Sequence, residues 1–473
     1  MTNSRYLTTL PARRTREKTL GRGKIEQFKF PLLFILLHVP LGVALYGSSA
    51  LALLHPAAAF LCGLRWAISK REKMERVAWA AAYIAGSEVL WRMARAPIYW
   101  EFGKYSVAAL MIAALVTRRC LKIPVLPLLY FILLLPACLI TFSEREFDYA
   151  RADLSAIMSG PFLLFVSCVF FSHLKVTLSG LQKILLAAII PLVSVGVTTL
   201  FFTLTTADIQ FNNESNFATS GGFGPNQVSA MLGLGVFLAL ASLVLLQSSF
   251  RDQILLGAAI VLLAAQSVMT FSRGGMYNAI GAGAIVVVLQ MQNLNVAIKR
   301  LLPILGLAAV FLSLVFPFLN DFTGGSLQSR FADSEPTNRV ELIESDYQTF
   351  LENPIFGVGV GGSLEYHQNY LGFEASTHTE FSRILSEHGL LGVLSLVSMF
   401  LMSVFNFHKQ ATAAGRAFVA GVIVWSALFM MNAGMRLAAP SLMFGLSFIV
   451  LIKFAGTEKG SLPHRRTIRK IKR

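Results

Sequence analysis

The chain has 473 residues, 55% of them hydrophobic and only 14% charged, with a mean hydropathy of +0.62; an ordinary soluble domain of this length does not reach such values. The formal net charge of +16 would suit a nucleic-acid binder, but the basic residues are dispersed between apolar runs and concentrated in both tails, as in chains oriented by a bilayer. Composition therefore excludes a soluble enzyme, argues against nucleic acid as a partner, and supports an all-α polytopic membrane protein surrounded by membrane lipids.

The first thirty residues are basic and polar (RRTREK, GRGK), and no small-residue cleavage pattern follows the apolar run from Phe30, so that run is expected to remain as an uncleaved first span. A helix crossing hydrocarbon needs about twenty residues. On that ruler about 14 transmembrane helices are expected, beginning near residues 30, 48, 76, 103, 123, 156, 181, 226, 252, 274, 301, 388, 415 and 436. An even count puts both tails on one side, which the positive-inside rule makes the cytoplasm. Of the 41 lysines and arginines only ten then fall outside: Arg92, Arg95, Lys104, Arg145, Arg151, Arg273, Arg330, Arg339, Arg383 and Arg436. The four cysteines, Cys62, Cys120, Cys138 and Cys168, form no CxxC or Cys/His array and read as packing residues.

The resulting organisation is a basic cytoplasmic tail (1–29), transmembrane helices 1–11 (30–319), a large periplasmic loop with amphipathic helices (320–387), transmembrane helices 12–14 (388–453) and a second basic tail (454–473). Asn226, in FGPNQ, starts a span at the outer surface and is a possible substrate contact. Arg273, in TFSRGG, ends an apolar run on the side depleted of arginine. An arginine at bilayer depth costs about 2.5–3.5 kcal/mol on insertion scales, so it calls for a partner, either a structural carboxylate or an external anion.

The loop is longer than an ordinary connection, and such loops are functional or disordered. Its sequence predicts order. PTNRVELIESDYQTFLENP reads as an amphipathic helix, with Asn338 as N-cap, Val340, Ile343, Tyr347 and Phe350 at helical spacing, and Asn353–Pro354 as its stop. Arg339 in its first turn is unfavourable for the helix dipole; it is either a solvated charge or one that meets an anion. IFGVGVGGS lacks the GK[ST] of a phosphate loop and reads as a permissive turn.

In STHTEFSRILSEHGLLG, Thr377 and Glu380 fit a capping box and Gly389 can end the helix. His378 then lies in the first turn, where the dipole disfavours protonation and the backbone N–H groups attract anions. It is a surface or packing histidine, or a neutral base. Glu380 either caps the helix or orients a sugar, and Tyr366, Tyr370 and Phe373 either stack on sugar rings or pack the loop. No DxD triplet occurs.

TFSRGG, NRVELIESDYQTFLENPIFGVGVGG and HTEFSRILSEHGLLG, in this order and on one side, resemble the bacterial O-antigen ligase and polymerase superfamily. The likeness covers the second half of the chain. Thr379 and Ser382 depart from the family pattern, which has Asn after the histidine and Leu four residues after it. The resemblance implies a glycosyltransferase that takes a glycan from a polyprenyl (undecaprenyl) diphosphate carrier at the periplasmic face without a metal ion or cofactor. It gives Arg273 and Arg339 the diphosphate and His378 the role of base toward the acceptor hydroxyl. The acceptor is lipid A core for a ligase, the favoured reading, or a growing lipid-linked glycan for a Wzy-type polymerase of O-antigen or exopolysaccharide. The rival from another class is a polysaccharide-precursor transporter or flippase, but no internal repeat is visible and the polar candidates gather on one outer face.

Overall fold

The computed structural model describes residues 32–120, 122–246, 249–291, 294–333, 339–372 and 377–452. The two basic tails, the N-cap expected at Asn338 and the ring of Phe373 lie outside the described residues. What is described is almost entirely helical. A bilayer demands this, because backbone groups without water must bond within their own segment.

The first half comprises α1 (Leu32–Gly47), α2 (Ser49–Ile68), α3 (Met74–Met93), α4 (Phe102–Thr117), α5 (Val125–Glu144), α6 (Phe147–Ser172) and α7 (Leu178–Thr205). Next come α8 (Pro225–Leu245), α9 (Phe250–Met269), α10 (Gly274–Gln290) and α11 (Leu294–Val310), the last running through a π-helical turn into α12 (Phe316–Phe322). Three shorter helices follow, α13 (Ser326–Ala332), α14 (Arg339–Glu352) and α15 (Ser363–Leu371), before α16 (Glu380–Lys409), α17 (Ala413–Ala433) and α18 (Ala438–Leu446).

Among the described residues, nine helices are long and apolar enough to cross a membrane, and three shorter apolar stretches join them, Leu37–Gly47, Phe102–Thr117 and Gly274–Gln290. The chain is an all-α polytopic membrane protein. A helix occupies every expected span; the sequence count of about 14 is higher because it takes in α3, which carries Glu75, Arg76, Glu88 and Arg92, and α18, which has 9 residues.

Hydrocarbon provides no hydrophobic drive between helices, so small residues that admit close approach carry the packing. The contact that matters most for the site joins α8 to α10. A Cβ on Gly275 would lie 2.0 Å from the Ser229 carbonyl oxygen, and one on Gly233 would lie 2.1 Å from the Gly275 carbonyl oxygen. The start of α10 is thus pressed backbone to backbone onto α8. At the opposite end of the bundle a short parallel ladder, β1 (Lys175–Val176) with β2 (Val450–Leu451), ties the α6–α7 connection to the chain after α18.

Two local expectations need correction. Helix α14 forms and stops before Pro354, but Val340, Ile343 and Tyr347 are exposed, and the buried face is Leu342, Ser345, Asp346 and Thr349. Asp346 is the cause. Its carboxylate accepts from Ser382 (2.6 Å), Ser386 (3.0 Å) and Thr377 (3.4 Å) and pairs with His367 Nε2 (3.0 Å). A fully buried carboxylate with that many partners dictates the face, because leaving it unpaired would cost more than exposing a few apolar side chains.

The second correction concerns the start of α16. Thr379, not Thr377, is the N-cap, accepting from the Phe381 N–H, and Glu380 closes no capping box; its carboxylate accepts from the Met435 N–H at 3.0 Å. Thr377 is drawn instead to Asp346. Gly389 does end the first helical piece, with φ 58° and ψ −140°. A Cβ there would lie 2.6 Å from the Gly357 nitrogen, which shows why the glycine-rich turn and this kink need each other.

Candidate functional site

The site begins at the turn between α9 and α10. Phe271 has a left-handed φ of 58°, which costs a bulky residue about 1–3 kcal/mol and persists only when its surroundings hold it. Three hydrogen bonds do so. Thr270 Oγ1 accepts from the Ser272 N–H (3.2 Å), Ser272 Oγ donates to Asn226 Oδ1 (2.7 Å), and Ser229 Oγ donates to the Ser272 carbonyl (2.8 Å). The turn places Arg273 at the N-cap of α10, in the wall of a cavity of about 400 Å³.

Arg330 of α13 and Arg339 of α14 share that wall. Arg273 donates to the Asp333 carbonyl. Arg330 Nε donates to the Phe271 carbonyl at 3.0 Å, and its Nη1 lies 4.0 Å from Asp333 Oδ2. Arg339 Nη1 donates to Asn432 Oδ1 at 3.0 Å, and Asn432 Nδ2 is anchored on Asn278 Oδ1 at 3.0 Å. Among the described residues the lining therefore carries Arg273, Arg330 and Arg339 against the carboxylate of Asp333. These charges act on one another. Burial, then Arg273 and Arg330, lower the pKa of Arg339; burial, then Arg273, lower that of Arg330, partly offset by Asp333. An anion relieves such repulsion, and planar guanidinium forks suit phosphoryl oxygens through paired, charge-assisted hydrogen bonds.

His378 is half-buried immediately before the Thr379 cap, one position outside the helix rather than in its first turn. Burial, then the charges of Arg339 and Arg436, lower its pKa from 6.5 to about 4. The imidazole is thus neutral at pH 7, as a base must be. Desolvation and two guanidinium groups do what the sequence reading assigned to the helix dipole. Arg436 Nη2 donates to the Thr377 carbonyl at 3.3 Å, on the residue next to His378.

Asn226 lines the cavity with the arginines; Glu380 and Tyr366 do not. Glu380 is buried, paired with Arg383 and with the Met435 N–H, so its carboxylate serves the α17–α18 junction. Tyr366 accepts from Asn353 Nδ2 at 3.3 Å and Tyr370 bonds to Glu352, contacts that pack α15 on α14. His367 and His388 are buried, and Arg383 is held between Glu380 and Glu387. Among the described residues no group of three or more His, Cys, Asp or Glu stands placed to hold a metal ion. Motif reasoning does not single out Arg330, Asn432 or Arg436. The two arginines do belong to the basic residues on the positive-depleted side, which is the signal that could have found them; an amide near the end of an apolar run offers none.

Comparison with known proteins gives one result for this region. Residues 258–397 match the family model described as O-Antigen ligase (Wzy_C). The matched segment runs from within α9 to within α16 and contains Arg273, Arg330, Arg339 and His378. No curated protein matches the chain.

Proposed function

We propose, for a chain that belongs to the O-antigen ligase/polymerase superfamily, that it transfers a glycan from a polyprenyl (undecaprenyl) diphosphate carrier to an acceptor hydroxyl at the periplasmic face of the bacterial inner membrane. Both termini then lie in the cytoplasm. Arg273, Arg330 and Arg339 hold the diphosphate, Asn226 and Asn432 position them and the donor, and His378 is the base. The observation that carries this reading is the gathering of three arginines on one cavity, with a neutral histidine that is outside its lining but senses the charge of Arg339.

In the transfer, the acceptor oxygen forms a bond to the anomeric carbon of the donor glycan as the bond from that carbon to the diphosphate oxygen breaks. The acceptor proton passes to the His378 imidazole, and the electron pair leaves with the carrier diphosphate. Charge grows on the leaving oxygens, where preorganised guanidinium groups in a water-poor cavity stabilise it more than they stabilise the bound donor. A base with a pKa of about 4 is weak for this task. The bound diphosphate corrects that: its negative charge offsets Arg339 and raises the basicity of His378 only when donor is present.

Ligase-type transfer to lipid A core is the leading form of the proposal. The test is transfer by the purified full chain in nanodiscs, with EDTA, a carrier-linked donor, and either lipid A core or a second donor molecule as acceptor. Extension of lipid A core supports a ligase, and a ladder of carrier-linked products supports a polymerase. If neither forms while labelled donor crosses a sealed bilayer, the enzyme reading gives way to a transporter.

A further inference from the structure

A second cavity, of about 240 Å³, lies at the α3–α4 connection. Its walls include Arg92, Arg95, Tyr99, Trp100 and Phe102. Arg92 links it to the groups described above on two sides. Its Nη1 donates to Gln227 Oε1 at 3.2 Å, next in sequence to Asn226, and its Nη2 donates to the carbonyl of Arg436 at 3.2 Å. Arg436 in turn reaches Thr377 beside His378. His378 therefore feels Arg339, in the wall of the first cavity, and Arg436, bonded to the wall of the second.

The lining is chemically unlike the first cavity. The terminal nitrogens of Arg92 serve as scaffold, pairing with Glu88 at 2.7 Å and donating to the Trp100 carbonyl at 3.1 Å. Its guanidinium carbon also sits 4.4 Å from the centre of the Trp100 ring. The Phe223 ring also lies 5.9 Å from that indole and the Phe102 ring 5.5 Å from Tyr99, yet Trp100 is 58% exposed and Tyr99 54% exposed, so both rings still present aromatic surface. Arg95 is exposed, has a left-handed φ of 50°, and has no side-chain partner among the described residues. That conformation is the cap that closes α3: the Arg95 N–H donates to the Arg92 carbonyl at 3.1 Å and the Ala96 N–H to the Trp91 carbonyl at 2.9 Å, so the end of the helix itself sets Arg95 in the cavity wall.

Aromatic side chains at the end of a membrane bundle also serve as interfacial anchors. An anchor has no need of a guanidinium fixed against the ring, or of a free cation set beside it in a concave wall. A flat π face next to a cation matches a sugar ring with an acidic substituent: the axial C–H groups of a pyranose lie on the indole, and a phosphate or carboxylate on that sugar meets Arg95. The geometry assigns this cavity to the acceptor glycan, so that donor and acceptor approach His378 from separate pockets. This assignment rests on the transferase reading above, whose base it serves.

The test separates the two ideas by measuring binding apart from turnover. The full chain in nanodiscs is titrated, without donor, with phosphorylated core oligosaccharide freed of its lipid and, separately, with repeat-unit oligosaccharide freed of its carrier. Trp100→Ala is expected to weaken binding of the cognate probe about tenfold or more, the scale of losing one aromatic anchor. Trp100→Phe restores most of it, and Arg95→Ala weakens only a probe that carries an acidic group. In transfer assays the same variants raise the KM for acceptor and leave the KM for donor as in wild type, which a mere folding or anchoring role would not do. The probe that binds also identifies the acceptor class. The assignment is overturned if neither probe binds wild type, or if both bind Trp100→Ala and Arg95→Ala as tightly as wild type. Wild type that binds a probe through Trp100 and Arg95 but transfers nothing refutes the transferase reading and leaves the glycan site standing.

Discussion

Replacing Arg339 by alanine should have two effects of opposite sign in one enzyme. The change removes one of the guanidinium groups that face the cavity, and with it one donor to the leaving diphosphate. Losing a single preorganised donor to a developing oxyanion costs about 10²–10³ in rate, or about 2.7–4 kcal/mol. The cavity wall itself should survive, because Asn432 keeps its bonds to Asn278 and to the Leu428 carbonyl. The same change removes the second-largest cause of the depressed pKa of His378. The protonated imidazole becomes less unfavourable, so the acid limb of kcat/KM, which reports the free enzyme, moves up from about 4 toward 6.5. It stops short of 6.5 because burial, the largest cause, is untouched. In wild type the limb of kcat should lie above that of kcat/KM, since bound diphosphate does electrostatically what the substitution does covalently. The assay is initial transfer rate from pH 4 to 8 in nanodiscs at saturating and limiting donor. Arg339→Lys should recover part of the rate, as a point charge lacks the planar fork. Turnover within a few-fold of wild type, or a limb that does not move, would refute the reasoning.

Further expectations follow from the same geometry. His378→Ala should abolish turnover while donor affinity stays near wild type, and efficient transfer by this variant would rule out an essential base. Arg330→Ala, at a residue no motif marks, should lose about 10²–10³ in rate like its neighbours; a wild-type rate would confine Arg330 to its contact with the Phe271 carbonyl. Gly275→Val should lower the thermal midpoint in detergent sharply, since even a Cβ would stand 2.0 Å from the Ser229 carbonyl, and overpacking costs about 1–3 kcal/mol where the backbone can yield. Asp346→Ala should destabilise the region by about 3–5 kcal/mol by stripping His367 and three hydroxyls of their shared acceptor, measurable as faster amide exchange in α14 and α15.

Much of the architecture is legible in one dimension because the physics that sets it is local. Apolar runs of membrane-crossing length must be helical in hydrocarbon, and the rarity of arginine on one side makes each arginine there a residue to explain. On that basis Arg273, Arg339 and His378 stand out, and the structure brings Arg273 and Arg339 to one cavity with His378 within reach of the Arg339 charge. The stop of α14, the glycine turn after it and the break at Gly389 are likewise written in backbone preferences of single residues.

What the sequence could not decide is which partner each polar group meets. Helical spacing marked Val340, Ile343 and Tyr347 as a face but could not weigh it against Asp346, whose partners lie 21 to 40 residues away. The capping residue of α16 shifted for the same reason. Arg339 finds Asn432 across 93 residues, and Ser272 finds Asn226 across 46; hydropathy and periodicity, being sums over a short window, hold no information at that range. The neutrality of His378 could be anticipated from a helix terminus, but its actual causes are burial and two arginines from other segments. The helical class and the positions of the helices came from the chain alone; the cavity, its third guanidinium and the tuning of its base exist only once distant helix ends are packed together, because charge and desolvation depend on distance in space.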